Sequence, residues 1–257
     1  MKIDLNSDVG ESFGAYKIGL DDEVIPLISS ANIACGFHAG DPVVMRNTIA
    51  LVKQYEVAAG AHPGFPDLLG FGRRYMDATQ EEIKDYITYQ IGALQAFAGA
   101  AGMRLQHVKA HGALYNSAAN DVRIWESMAE AVSAIDKEMI LVVFAGANME
   151  EIRQIGQRFG IRVAFEFFAD REYNEDGSLV SRRQKGAVIH DHKVAAERVL
   201  RMISDGKVVT KDGREIPLRG DTVCVHGDNP EALGLIKHIR KILSESEVEI
   251  VCMGQFL

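Results

Sequence analysis

Short apolar runs alternate with longer stretches of helical periodicity along the whole chain, and this rhythm limits the possible folds more than any other feature. Ile3-Asp-Leu5, Ile28 to Ala34, Val57 to Ala61, Leu105 to Lys109, Met139 to Phe144, Val163 to Phe168 and Thr222 to Val225 have the length and composition of strands. Residues 43–55, about 79–101, 121–135, 149–159, 193–204 and 231–243 carry apolar residues at helical spacing. Punctuation supports these boundaries. Asp41-Pro42 suits a helix start, Thr79-Gln-Glu-Glu82 has the capping-box pattern, and Gly102 and Gly160 suit helix ends. Lys211-Asp-Gly-Arg214, within Val208 to Pro217, is a hairpin turn. Ile250-Val-Cys252 is a candidate last short strand. Repeated strand–loop–helix units predict a parallel sheet with helices outside it. The even spacing, the absence of a linker and a length of 257 residues favour one α/β domain over 1–257, a closed (β/α) barrel rather than an open doubly wound sheet.

Polar residues gather where strands end. Asp8 and Glu11 follow the first strand, with Asn6 beside them. His38 and Asp41 follow the second, His62 and Asp67 the third. Lys109 and His111 end the fourth, two residues apart and so on one face of an extended chain. Glu166, Asp170 and Arg171 lie in or just after the sixth, and His226 and Asp228 follow the last long one. In a parallel barrel all these ends meet on one face, where active sites are built. Four of the eight histidines belong to this set.

Several of these residues have structural uses that compete with function. Asp41 suits a helix cap, Asp228 before Asn-Pro could cap the last helix, and Arg73 with Arg74 could be an exposed pair in the glycine-rich loop 70–74. Lys109, inside an apolar strand, has no evident structural task. His38 and His62 sit among small and turn-forming residues, which lets a ligand approach the backbone.

The formal net charge of −8 argues against nucleic acid and anionic membranes as partners. No run of about 18 apolar residues spans a bilayer, and the first residues lack the apolar core of a signal peptide. Cys35, Cys224 and Cys252 are far apart without CxxC spacing, as expected for reduced thiols in a cytoplasmic protein.

Histidines with carboxylates support acid–base work near neutral pH, and nearby lysine and arginine stabilise developing negative charge. Asp8, His38 and His62 could alternatively hold a divalent metal. No GxSxG motif, GxxxxGK[ST] loop or post-strand GxGxxG turn is present.

Longer motifs narrow the field. Asp4-Leu-Asn-Ser-Asp-Val-Gly-Glu-Ser-Phe-Gly14, Asn32-Ile-Ala-Cys-Gly-Phe-His-Ala-Gly-Asp-Pro42, Gly60-Ala-His-Pro-Gly-Phe-Pro-Asp67, Gly70-Phe-Gly-Arg-Arg74 and Val108-Lys-Ala-His-Gly-Ala-Leu-Tyr-Asn116 resemble the LamB/YcsF family, the A subunits of bacterial ATP-dependent 5-oxoprolinases. Phe168 to Tyr173 and Cys224 to Asp228 look like further family motifs. The resemblance implies a distorted barrel similar to the sugar-deacetylase and glycosidase barrels. It implies hydrolysis of the 5-oxoproline lactam to L-glutamate, coupled to hydrolysis of ATP to ADP and phosphate, with partner subunits B and C and Mg accompanying the ATP. On that basis Asp8 with His38 or His62 would activate water. Lys109 and Arg171 would hold phosphate or the substrate carboxylate, and His111 and His226 would act as donors. Glu11, Arg73, Glu166, Asp170 and Asp228 would complete the substrate site. The competing readings are a metal-dependent sugar deacetylase or amidohydrolase and a non-catalytic substrate-binding subunit.

Overall fold

A computed structural model describes residues 1–181, 184–225 and 230–257. In β1 (Lys2–Val9), Ile3, Leu5 and Val9 alternate with Asp4, Asn6 and Asp8, so one face meets the core and the other is polar. A short helix α1 (Asp21–Val24) and a 3-10 turn lead to β2 (Ser30–Ala34). Helix α2 (Pro42–Gln54) starts as expected: the Asp41 carboxylate accepts from the backbone N–H groups of Val43 and Val44, with Pro42 in the first turn. After β3 (Ala58–His62), α3 (Gln80–Ala100) begins with the complete Thr79/Glu82 capping box.

Then follow β4 (His107–Lys109), α4 (Gly112–Asn120), α5 (Val122–Ile135), β5 (Ile140–Phe144), α6 (Met149–Phe159) and β6 (Arg162–Phe168). Helix α4 is not among the predicted elements, being only nine residues long and too short to show a clear period. Gly160 ends α6 in the left-handed conformation that its position predicts. Helix α7 (His192–Asp205) precedes the antiparallel hairpin β7 (Lys207–Val209) and β8 (Glu215–Pro217). The chain finishes with β9 (Thr222–Cys224), α8 (Pro230–Glu245), β10 (Glu249–Ile250) and a 3-10 turn at Met253–Gln255.

Seven strands close a ring in the order β1-β2-β3-β4-β5-β6-β9, with β9 pairing back onto β1 through Asp4↔Thr222, Leu5↔Val223 and Asn6↔Cys224. Every pairing in the ring is parallel. The closed α/β barrel is therefore the fold that the strand–helix rhythm predicts. Apolar side chains on the outer faces of the strands join those of the helices in one core. Inside, Ile140, Val142, Ala164 and Met253 form a separate apolar cluster that Phe256 covers. Asp4, Asn6, Asp8, Asn32, His107, Lys109 and Glu166 also point inward, which sets up the site.

Among the described residues, no helix is long and apolar enough to cross a membrane. All three cysteines are free thiols.

Candidate active site

The lumen holds a continuous polar network. Lys109 Nζ on β4 reaches Glu166 Oε1 on β6 (2.8 Å) and Asp8 Oδ1 on β1 (3.0 Å). It also donates toward Asn6 Oδ1 (3.2 Å) and Cys224 Sγ (3.1 Å). None of these strands neighbours β4, so the lysine crosses the barrel interior. The Glu166 carboxylate has three donors: beside Lys109, Oε1 accepts from Asn6 Nδ2 (3.0 Å) and Oε2 accepts from the Tyr115 hydroxyl (2.8 Å). Asn32 Nδ2 donates to Asn6 Oδ1 (2.7 Å) and Asp8 Oδ1 (2.8 Å), while its own Oδ1 accepts from His107 Nε2 (2.8 Å). Below, Asp4 accepts from Ser29, Ser30 and Thr222.

Burial and charge act against each other here. Burial alone would lower the Lys109 pKa; the charges of Asp8 and Glu166 and the Glu166 hydrogen bond outweigh it and hold the ammonium well above its ordinary value. Burial pushes the Asp4 carboxyl up to about 6. It pushes His107 down to about 3, with the Lys109 charge adding to the fall.

Above this network lie three histidines and Glu11. The His38 and His111 rings are stacked, with centroids 3.7 Å apart and planes inclined by 1°. His62 stands edge-on to both. Glu11 Oε1 is 3.3 Å from His38 Nε2 and 3.5 Å from His111 Nδ1. His62 Nε2 is 3.3 Å from Asp8 Oδ2. Burial, reinforced by the neighbouring histidines, holds the His38 and His111 pKa values well below the ordinary imidazole value.

Loop backbone sets these rings in place. His62 Nδ1 donates to the Lys109 carbonyl (2.7 Å) and His111 Nε2 to the Phe71 carbonyl (2.9 Å). His111 N donates to Pro63 O and Ala113 N to Gly72 O, tying the third and fourth loops together. Gly72 has φ +61°, and a Cβ there would lie 2.7 Å from His38 Cβ and 2.9 Å from His111 Cδ2. The 70–74 loop must therefore carry glycine where it crosses the histidines.

The network opens into a cleft of about 160 Å³, lined by Asp8, His62, Arg73, Lys109, His111, Tyr115, Asn116, Phe168 and Arg171 among others. That volume suits a small molecule rather than a polymer. The Arg73 guanidinium lies over the Phe71 ring, 5.1 Å from its centroid. Arg171 Nη2 donates to Val180 O. Arg74 has a different role, pairing with Asp67; that pairing holds the Asp67 carboxyl at about 2.

Most of the predicted residues converge, with four amendments. Glu166 is fully buried in the lumen, where it accepts from Lys109, Asn6 and Tyr115, and does not line the cleft. Asp170 likewise does not line the cleft. His111 has one N–H when neutral, already given to Phe71, so it does not serve as a donor to substrate. Among the described residues, the group whose candidate donor atoms lie within 4.8 Å of one another is Glu11, His38, His62 and His111, and Asp8, expected with His38 and His62, is not in it. Asp8 instead stands between His62 and Lys109. His226 and Asp228 lie outside the described residues. Sequence reasoning missed Asp4, Asn32, His107, Tyr115, Thr222 and Cys224. The signal that could have found some of them is the period-two run Asp4, Asn6, Asp8 and its counterpart His107, Lys109.

A parallel barrel with a charged, histidine-rich cleft at the strand ends has the layout of a barrel enzyme. Residues 3–257 match the LamB/YcsF family, and the chain belongs to it. It is 54% identical over 257 residues to the A subunit of 5-oxoprolinase from Thermococcus sibiricus, covering 100% of both chains. It also superposes on the lactam utilization protein from Thermus thermophilus with a TM-score of 0.91 and 45% identity, over 98% of this chain and 99% of that one. Peptidoglycan deacetylase PdaC from Bacillus subtilis aligns at 13% identity with a TM-score of 0.47, over 98% of this chain and 88% of that one.

Proposed function

We propose that this chain is the A subunit of a cytoplasmic ATP-dependent 5-oxoprolinase. It opens the lactam of 5-oxoproline to L-glutamate, in a complex with B and C subunits that couples the reaction to hydrolysis of ATP to ADP and phosphate. The carrying observation is the Asp8 carboxylate at the cleft, held between the Lys109 ammonium and the His62 imidazole. Whole-length relatives that bear the name of the 5-oxoprolinase A subunit support the substrate.

A five-membered lactam is a poor electrophile, and phosphorylation of its amide oxygen by Mg-bound ATP would make the ring carbon attackable. Water then adds to that carbon while Asp8 takes its proton. The C–N bond then breaks to leave the γ-carboxyl phosphate of glutamate, the proton on Asp8 passing to the departing nitrogen, and a second water hydrolyses that acyl phosphate to L-glutamate and phosphate. Lys109 and Arg73 stabilise the anionic oxygens, and Arg171 holds the substrate carboxylate. Lys109 Nζ and Asn32 Nδ2, which both donate to Asp8 Oδ1, orient it.

Phosphate release from ATP tests the reading. It should require 5-oxoproline, this chain and both partner subunits together; an undiminished rate without this chain sinks the proposal. The Glu11 and histidine cluster favours one other reading, a metal-dependent amidohydrolase. Release of acetate from N-acetyl sugars by the isolated chain, without ATP, would support that reading instead.

A further inference from the structure

His62 Nε2 and His111 Nδ1 are 3.0 Å apart. That is hydrogen-bond distance, yet when both rings are neutral neither facing nitrogen carries a proton. A carbonyl oxygen only accepts, so the nitrogen facing it must be the N–H. His62 gives its Nδ1–H to Lys109 O, and His111 gives its Nε2–H to Phe71 O. The facing nitrogens are then two lone pairs directed into one small, buried space. Metal-binding histidines are commonly fixed in just this way, with the second nitrogen donating to a backbone carbonyl or carboxylate.

The surrounding groups extend the pattern. Glu11 Oε1 lies 3.5 Å from His111 Nδ1 and 3.3 Å from His38 Nε2. Zinc–nitrogen bonds near 2.0 Å in a tetrahedral site put neighbouring donor atoms about 3.3 Å apart. Three of the six donor–donor separations, 3.0, 3.3 and 3.5 Å, straddle that value, and all four candidate donor atoms lie within 4.8 Å of one another. Burial favours the neutral imidazole of His38 and His111, the form that ligates.

We propose that Glu11, His38, His62 and His111 bind one divalent transition-metal ion of the zinc class. Three imidazoles and a single carboxylate select zinc, cobalt or nickel over magnesium, calcium and manganese, which prefer oxygen ligands. This ion is distinct from any magnesium that accompanies ATP. His62 and His111 also line the cleft, so the ion is open to a ligand from that side and lies next to Asp8. When bound, it supplies a Lewis acid at the cleft floor.

The proposal is independent of the oxoprolinase reading, because its readout is spectroscopic. Full-length protein is stripped with a chelator and titrated with Co2+, following the visible ligand-field bands and the metal content. About one tightly bound ion per chain is expected. His62→Gln and His111→Gln should each weaken binding by at least about a hundredfold while circular dichroism stays native. Glu11→Gln is the milder variant if either histidine change unfolds the chain, and should weaken binding at least about tenfold. His238→Ala, on the surface of α8, should bind as the parent does. Uptake of neither Co2+ nor Zn2+ by the parent protein would overturn the proposal. Unchanged affinity in the folded His62 and His111 variants would overturn it too. So would nitrogen NMR showing a proton shared between the two rings in the presence of excess zinc.

Discussion

Lys109 Nζ on β4 meets Glu166 Oε1 on β6 at 2.8 Å, reaching past the intervening strand β5 through the barrel lumen. Both side chains are almost completely buried, and Asp8 takes the other side of the ammonium at 3.0 Å. The pair links the bottom of the polar network to the cleft, so its disturbance should be felt in both stability and chemistry.

Lys109→Met keeps much of the volume and removes the cation. Glu166 and Asp8 then face each other without compensation, at a cost of about 3–5 kcal/mol of folding stability. The double variant Lys109→Met/Glu166→Gln removes one of the stranded charges and should recover at least about 1 kcal/mol. Denaturant midpoints of the three proteins check this. Equal midpoints for the parent and Lys109→Met would contradict it.

Asp8→Asn keeps the size of the side chain and its contact with Lys109 while losing the base. Turnover by the reconstituted complex should fall by at least about a hundredfold. Thermal stability should change little, because Asp8 is partly exposed at the cleft. Steady-state rates with 5-oxoproline and ATP, beside a melting curve, decide the matter.

Asp4 makes stability depend on pH. Its folded value of about 6 exceeds the ordinary 3.8, because burial outweighs the hydrogen bonds from Ser30, Thr222 and Ser29 that pull it down. The folded state therefore holds a proton that the unfolded chain has lost. The stabilising effect is complete below 3.8 and is lost as the pH rises to about 6. Asp4→Asn has no such proton. Relative to the parent, it should gain up to about 3 kcal/mol between about pH 4 and pH 6, and nothing more above that range. Urea unfolding of both proteins across the range tests this; parallel pH curves would refute it.

Gly72→Ala puts a methyl group 2.7 Å from His38 Cβ at a backbone φ of +61°. The histidine stack must shift. A loss of about 1–3 kcal/mol is expected, with turnover at least about tenfold lower. Differential scanning fluorimetry and the ATP-coupled assay read the two effects.

Thr79→Ala provides the contrast. It breaks the capping box of α3, on the outside of the barrel, and should cost about 1 kcal/mol with no loss of turnover per folded molecule. A matching fall in specific activity would mean that α3 transmits to the cleft.

The local rules carried a long way at helix starts and strand ends. Asp41 caps α2, Thr79 and Glu82 form their capping box, and Gly160 takes the left-handed position after α6. Each depends on atoms within a few residues of one another, which sequence spacing displays directly. Helix α4 escaped because it is short, and because its start at Gly112 answers to Gly72, forty residues earlier.

By itself, the sequence determined the alternation of strands and helices, hence a parallel barrel whose polar strand ends share one face. It also brought Asp8, His62, Lys109 and His111 onto the short roster of candidates, since polar groups after apolar strands have few other places to go. Only the tertiary structure decided what each of them meets. Glu166 proved to be a buried partner of Lys109 rather than a wall of the cleft, because barrel closure brings β6 within reach of β4 across the lumen. His62 and His111 became a facing pair with fixed tautomers, because the carbonyls of Lys109 and Phe71 take one N–H from each. Residues separated by tens of positions acquire such relations only when the sheet closes, and no local periodicity records which lone pairs will then face each other.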